Sequence, residues 1–274
     1  MTGDSGALSL IDLARYPLGD PDSATLAAVI DRAREQMAAC GFAELEGFVH
    51  ADGVAGLVDD AERLAGRAHR SGGVGTAYLG QPEESLPADH PTRWRGRYAV
   101  GAVAYDLFPL SSPLRILYES ECVLRLVEEV LDRGRLYPYA DPFGALNLAV
   151  MEAGDELQWH FDQVDFVVSL AIRSPEAGGD FEVAPLVRTP TEESYPDVAA
   201  VLAGDRSRVE RIAMRPGTLL LFEGRHSLHR VGPVIGATSR LVGLLAYDTR
   251  PDRVGSDYLR QDRYGRTQPI PSPS

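Results

Sequence analysis

Residues 158–166, QWHFDQVDF, set a histidine and an aspartate two positions apart inside a run with the apolar and aromatic character of a strand. Alternation on a strand sends residues two apart to one face, so His160 and Asp162 point together, while Trp159 points the other way as a core residue. A carboxylate carried into a sheet interior is costly unless a cation or hydrogen bonds meet it. The stretch therefore raises two linked questions: whether this half of the chain is built from short strands, and whether the pair faces a metal or solvent.

The surrounding sequence answers the first. From about Leu136 the chain proceeds in short β-rich runs, ALNLAVM, LQWHFD, FVVSLAI, DFEVAP, VERIAM, GTLLLF, HSLHRV and SRLVGLLAY, divided by EAGDE, SPEAGG, RPG and PVIGAT. Short runs with Gly and Pro between them form antiparallel sheets. The expected fold is mainly β with α: a double-stranded β-helix (jelly roll, cupin-like) core with N-terminal helices packed on it. Pro190 to Asp205 is an insertion with a helical turn or two. The expected organisation is one structural domain: residues 1–135 a helical and mixed region packed on the core, 136–250 the jelly roll, and 251–274 a tail ending in a disordered PSPS.

The second question needs a third ligand. His50-Ala51-Asp52 repeats the His-x-Asp spacing, but it lies where a helix starts; residues two apart there diverge by about 200°, so Asp52 is read as a helix cap. The segment 216-PGTLLLFEGRHSLHRV-231 is a better source, because a proline-glycine turn feeds an apolar strand that ends in two histidines. Two histidines and one carboxylate leave three positions of an octahedron open, the arrangement of non-haem Fe(II) oxygenases. Either His226 or His229 can complete the set, and an arginine decides between them. From His229 the chain turns through Gly232-Pro233 and Gly236-Ala237 and returns as a strand bearing Arg240. Its guanidinium can grip a carboxylate through two parallel hydrogen bonds. His226 falls on the opposite strand face, where a rim role is easier.

Upstream, residues 22–40 repeat apolar positions at three and four between Ser23 and Gly41 and read as a helix. Residues 42–49 read as a strand, 53–68 as a second helix, and the Gly-, Pro- and Ser-rich 70–92 as a long loop. Ser112-Pro113 opens a third helix that should run to Gly134. With 274 residues, 44% of them hydrophobic, one sizeable core is expected. A net charge of -13, from 27 basic and 40 acidic residues, would repel a phosphate backbone, so no nucleic-acid partner is expected. Cys40 and Cys122 sit at apolar helical positions and read as buried, reduced thiols, which fits a cytoplasmic enzyme. No long apolar run or basic leader occurs, so no membrane partner or targeting is expected.

His160-x-Asp162, His229 and Arg240 eleven residues further on resemble the Fe(II)/2-oxoglutarate-dependent oxygenase superfamily. Residues 141–185 and 217–234 are similar to its branch of free-amino-acid halogenases and their hydroxylating relatives. The resemblance implies His160, Asp162 and His229 as catalytic iron ligands, Arg240 on the distal carboxylate of 2-oxoglutarate, and Arg97 as a further residue that helps hold it; Asn147, polar amid ALNLAVM, is a candidate to face the site and bind cosubstrate or substrate. It implies a dioxygenase that consumes O2, converts 2-oxoglutarate to succinate and CO2, and hydroxylates an unactivated C–H bond of a free amino acid or similar small polar metabolite. The halogenases of that branch have a small residue where Asp162 stands, which leaves a site for halide, so hydroxylation is expected here. Desaturation, cyclisation and halogenation are the neighbouring outcomes.

Outside the superfamily stand a zinc hydrolase and a noncatalytic cupin-like metal-binding protein. Zinc hydrolysis would want a general base, for which no motif glutamate offers itself, and it gives Arg240 no task. Leu157 and Gln163 flank the His-x-Asp pair where relatives acting on basic amino acids have polar residues, so lysine is not the expected substrate. Read from the residues alone, Arg93, Arg95 and Arg97 form a charged edge-strand face. Asn147 reads equally as an inward amide satisfied by its neighbours. The polar tail from Asp248 through Tyr264 reads as surface coil, with a lid that sets Tyr264 against substrate as the alternative. A monomer or homodimer is expected.

Overall fold

The computed structural model describes residues 3–270. Its helices are α1 (Gly3–Leu8), α2 (Ala24–Cys40), α3 (Ala51–Ala65), α4 (Pro113–Tyr118), α5 (Glu121–Leu131), α6 (Tyr195–Leu202) and α7 (Asp257–Tyr264). The first strands are β1 (Phe42–Leu45), β2 (His69–Thr76), β3 (Arg95–Val103), β4 (Tyr137–Pro138), β5 (Leu146–Met151), β6 (Leu157–His160) and β7 (Val167–Arg173). The rest are β8 (Ala177–Gly178), β9 (Phe181–Ala184), β10 (Glu210–Ile212), β11 (Leu219–Phe222), β12 (Leu228–Val231), β13 (Val234–Ile235), β14 (Arg240–Leu245) and β15 (Tyr247–Asp248). Among the described residues no helix is long and apolar enough to cross a membrane.

One antiparallel sheet carries most of these strands in the order β1-β11-β7-β14-β5-β3-β6-β12-β9-β10, with β2 laid along β3. At its middle, β3 and β6 meet through a single pair, Tyr98 and Leu157. The arm beyond that pair curls back, so residues from both arms share one inner core: Met151, Leu220 and Phe222 from one, and Phe181, Val183 and Val231 from the other. This is the mainly β jelly roll expected from the sequence.

Strand alternation sorts the core into two sides. On β7 and β11, Val168, Leu170, Leu219 and Leu221 face outward into a large core built with the helices, while Leu220 and Phe222 face the inside of the roll. Helices α1 to α5 cover that outer side. Gly243 on β14 permits the close approach of α4, since a Cβ there would stand 2.6 Å from Leu114. Strands β1 and β3 come from the N-terminal half yet pair with β11, β5 and β6, so the sheet runs through the 135/136 boundary without a seam.

Several elements differ from the sequence expectation. Residues 69–76 form a strand rather than the start of a long loop, paired residue by residue with β3. Its glycines make room: a Cβ on Gly75 would meet Gln158 at 2.8 Å, and one on Gly96 opposite would meet Trp94 at 2.4 Å. The expected helix from 112 to 134 is two helices. Ser120 breaks it by capping α5, accepting from Val123 N while its hydroxyl donates to Asp4. At the second His-x-Asp, His50 and not Asp52 is the cap: its Nδ1 accepts from Gly53 N at 3.1 Å. Cys40 and Cys122 are free thiols, each partly exposed.

The C-terminal segment is α7 and not surface coil. Asp141, 2% exposed, accepts from the main chain of Phe143, Gly144 and Gly255 and pairs with Arg260 of α7 at 3.2 Å. Burial alone would raise its carboxyl, but those donors outweigh burial and hold it below the usual carboxylate range. Beyond the helix, Arg266 forks onto Asp106 at 2.6 and 2.7 Å. The PSPS end lies outside the described residues. Asp141→Ala is expected to cost about 3 kcal/mol, the scale for breaking a buried pair. It should abolish amide protection in α7 before the rest of the sheet exchanges, as read by hydrogen exchange; unchanged protection of α7 would contradict the anchoring role.

Candidate metal centre

His160 closes β6 and His229 lies directly across from it on β12. The register between these strands shifts, so Leu157 to His160 opposes only His229 to Val231. That extra residue is a β-bulge. It lets Leu157 and His160 both face inward, while Trp159, 3% exposed, packs on the outer side of the roll. Main-chain bonds hold the following turn: Phe161 N donates to Ala77 O at 2.8 Å and Asp162 N to Gly224 O at 3.0 Å. The Arg188 guanidinium lies 3.9 Å from the centre of the Phe161 ring, on the side away from the roll.

The result is a compact cluster in which ligand atoms of His160, Asp162 and His229 all lie within 4.8 Å of one another. The two ring centres are 4.2 Å apart. His160 Nδ1 meets Gln158 O at 2.7 Å and His229 Nδ1 meets Ser227 O at 2.9 Å. A carbonyl can only accept, so each Nδ1 carries the hydrogen and each Nε2 keeps its lone pair. Those Nε2 atoms stand 3.8 and 3.5 Å from the Asp162 carboxylate. Burial, and then the neighbouring His229, push the His160 imidazole down to about 4 against the pull of Asp162, so the ring is neutral near pH 7.

Asp162 supplies the test of fit. Its Oδ2 is buried and has no hydrogen-bond partner. An unpaired buried carboxylate oxygen is expensive, and a cation between it and two imidazole lone pairs removes the cost. The space it occupies exists because residue 224 is glycine: a Cβ there would lie 1.9 Å from Oδ2. Two imidazoles and one carboxylate gathered at one point are a donor set that suits Fe(II).

Arg240 opens β14, opposite Met151 of β5, and is 7% exposed. It lines a cavity of about 160 Å³ together with Ala171, Phe181, Ile212 and Val242. Among the described residues its guanidinium makes no ion pair, and its one hydrogen bond goes to Met151 Sδ at 3.9 Å. Asp180, also on the cavity wall, pairs instead with Arg211 at 2.7 Å. Burial lowers Arg240 to about 10, against the field of Asp180, which still leaves it charged at neutral pH. Phe181 joins the two features, since it lines the cavity and its ring lies 5.6 Å from that of His229.

The other candidates fall elsewhere. Arg97 is exposed, donating to Gly154 O at 2.9 Å and pairing with Glu156 at 3.2 Å; the structure does not bring it into the cluster. Asn147 is buried, with Nδ2 donating to Phe143 O and Oδ1 accepting from Tyr264 Oη. Its amide is thus satisfied inside the protein, and Tyr264 is the residue that satisfies it. His226 pairs with Glu223 at 3.4 Å, outside the cluster. Gly224 and Phe181 carry no spacing or residue-type signal in the sequence that ties them to the site.

The family model described as Halogenase D matches residues 106–257, more than half of the chain. Comparison with curated protein sequences finds no match. Similar solved structures include a 2OG-Fe(II) oxygenase-family protein from Burkholderia pseudomallei, 15% identical, TM-score 0.51, covering 81% of this chain and 92% of that one. AviO1 from Streptomyces viridochromogenes is 22% identical, TM-score 0.54, over 83% of this chain and 96% of its own. SnoN, the non-heme alpha ketoglutarate dependent epimerase from nogalamycin biosynthesis, is 15% identical, TM-score 0.55, over 81% and 83%. These structural likenesses carry the fold, and the matched family carries the membership. With the roll, the His-Asp-His cluster and the family match together, the chain belongs to the Halogenase D family and is an Fe(II)- and 2-oxoglutarate-dependent oxygenase.

Proposed function

We propose that His160, Asp162 and His229 hold the iron, that Arg240 takes the distal carboxylate of 2-oxoglutarate, and that the enzyme hydroxylates an unactivated C–H bond of a free amino acid or similar small polar metabolite. Succinate and CO2 are the coproducts. The observation that carries the outcome is the Asp162 carboxylate, turned between the two imidazoles with one oxygen unpaired. When bound, iron and 2-oxoglutarate together supply, with O2, an oxidant able to take a hydrogen atom from carbon and return a hydroxyl.

The chain's own residues do the positioning. The two imidazoles, oriented by the carbonyls of Gln158 and Ser227 through Nδ1, turn their Nε2 atoms toward the place the metal would take. Asp162 occupies the place a halide would need, which favours hydroxylation over halogenation despite the family's description. Arg240 fixes the diacid by its far end, and the apolar walls of Phe181, Ile212 and Val242 keep that ion pair dry and strong. The amino-acid class is supported by the likeness of residues 141–185 and 217–234 to enzymes that act on free amino acids. A screen of free amino acids for substrate-stimulated succinate formation, iron-loaded against zinc-loaded, tests the reading directly. Stimulation only with iron is expected, and none with any amino acid would overturn the substrate class.

Asp162→Gly is expected to remove hydroxylated product by about a hundredfold or more, as a lost catalytic ligand does. Mass spectrometry of the product with and without chloride checks this, and full hydroxylation by the variant would take Asp162 out of the metal site. Gly224→Ala should act through displacement of the same carboxylate. Its affinity for Fe(II) is expected to fall about 10–100-fold, the usual scale for disturbing a ligand's support. The metal-free protein should keep its melting temperature; undiminished metal affinity in anaerobic titration would contradict the cradle.

A further inference from the structure

The cavity that holds Arg240 and the metal cluster lie toward opposite ends of the same strands. Strand β7 runs from Val167 to Arg173, seven residues and so about 20 Å. Asp162 comes shortly before it, while Ser174 and Pro175, which line the cavity, come directly after it. Its neighbour β11 runs the other way. Arg215, another lining residue, precedes β11, and Gly224, whose carbonyl accepts from Asp162 N at 3.0 Å, follows it. Strand β14 agrees with this layout: Leu241 stands opposite Arg173, so Arg240 belongs to the Ser174 end.

Each end has its own contact with solvent. At the metal end the His160 and Asp162 side chains are 14% and 21% exposed, and neither lines the cavity. At the other end Ser174, Ala213 and Arg215 are exposed, yet they line the same cavity as the buried Arg240 and Phe181. The cavity of about 160 Å³ is therefore a passage that starts at the surface, between the turn after β7 and the segment before β11, and reaches Arg240. Ser174 Oγ donates to Met214 O at 3.3 Å across its rim. Phe181 is the wall that the passage shares with the metal cluster.

The charge of the passage departs from that of the chain. Among the described residues that line it, Arg173, Arg215 and Arg240 face a single acid, Asp180, which Arg211 already engages. Arg173 and Arg215 have acidic neighbours in Glu62 and Glu46, so the guanidinium left without one is Arg240, at the inner end. A protein of net charge -13 repels a dianion over most of its surface, and a local excess of arginine draws one to this mouth.

We propose that this mouth is the door for the cosubstrate: 2-oxoglutarate enters and succinate leaves past Ser174 and Ala213, while the substrate comes and goes at the metal end. The inference rests on the reading that Arg240 takes the far carboxylate of the diacid, and adds the route by which the diacid arrives. Two doors remove a compulsory order of binding, since succinate can be exchanged for fresh 2-oxoglutarate before the product has cleared the metal end.

The test is the rate at which 2-oxoglutarate binds the anaerobic, Fe(II)-loaded enzyme, followed in stopped flow by the absorbance that the iron chelate gains. Dissociation is read by a chase with excess N-oxalylglycine, and Kd by calorimetry. A narrowed passage raises the barrier in both directions and leaves the end states alone. Ala213→Trp and Ser174→Trp, on opposite walls, should each slow association and dissociation by about tenfold while Kd changes by less than about threefold. Leu110→Trp, at an exposed site outside the lining, should alter neither rate. Arg215→Glu adds no bulk; it should slow association by about threefold at low ionic strength, and the effect should fade with added salt. Unchanged association in Arg215→Glu and in both tryptophan variants, each melting as wild type does, would overturn the door and leave the oxygenase reading intact. A Kd for 2-oxoglutarate unmoved by Arg240→Gln would instead remove Arg240 as the clamp, and this inference with it.

Discussion

A carboxylate oxygen without a hydrogen-bond partner, enclosed between two imidazoles whose own hydrogens are committed to the main chain, is the constraint on which the site depends. Leaving such an oxygen bare costs several times what an ordinary hydrogen bond contributes. The fold nevertheless holds it in place from three directions: Phe161 and Asp162 are tied through their amides, Arg188 backs the Phe161 ring, and Gly224 keeps the volume clear. Three separate supports for a destabilising arrangement are what a site prepared for a cation requires, and the same logic applies to the buried, acid-free guanidinium of Arg240.

The sheet's geometry makes this economical. Because β6, β12 and β9 are hydrogen-bonded neighbours, His160 and His229 face each other by register alone. The bulge in β6 then allows an apolar Leu157 and a ligand to share one side. After β12 the chain crosses through β13 to β14, whose first residue is Arg240, so one short stretch of chain carries both His229 and Arg240. The helices supply none of the clustered side chains; among them α7 reaches the roll through Tyr264, whose hydroxyl donates to Asn147 Oδ1.

The clustering of His160 with Asp162 was legible in the sequence because it rests on short-range geometry, and the addition of His229 followed from the resemblance. The spacing of two between His160 and Asp162 fixes a shared face, and the turn between His229 and Arg240 fixes their return to one neighbourhood. What was not legible depends on partners far away in the chain. The glycines of β2 look like a loop until Gln158, more than eighty residues on, is seen to need the space. The break between α4 and α5 follows from Ser120 binding Asp4 as well as its own helix end. α7 has almost no apolar face to announce it; Asp141 and Asp106 hold it, and neither is readable as a partner from the tail. Arg97 had the residue type of a carboxylate clamp and sits instead beside Glu156 on an exposed edge.

Membership in the Halogenase D family and the presence of a carboxylate at 162 pull toward different products, and the proposed hydroxylation rests on that carboxylate standing with the two imidazoles. The most direct measurement is a crystal structure of the enzyme prepared anaerobically with Fe(II) and 2-oxoglutarate, with anomalous differences collected at the iron edge. A single iron peak bonded to His160 Nε2, His229 Nε2 and Asp162, with the diacid's far carboxylate on Arg240, is the predicted result. Iron bound elsewhere, Asp162 turned away from it, or 2-oxoglutarate lying clear of Arg240 would contradict the account.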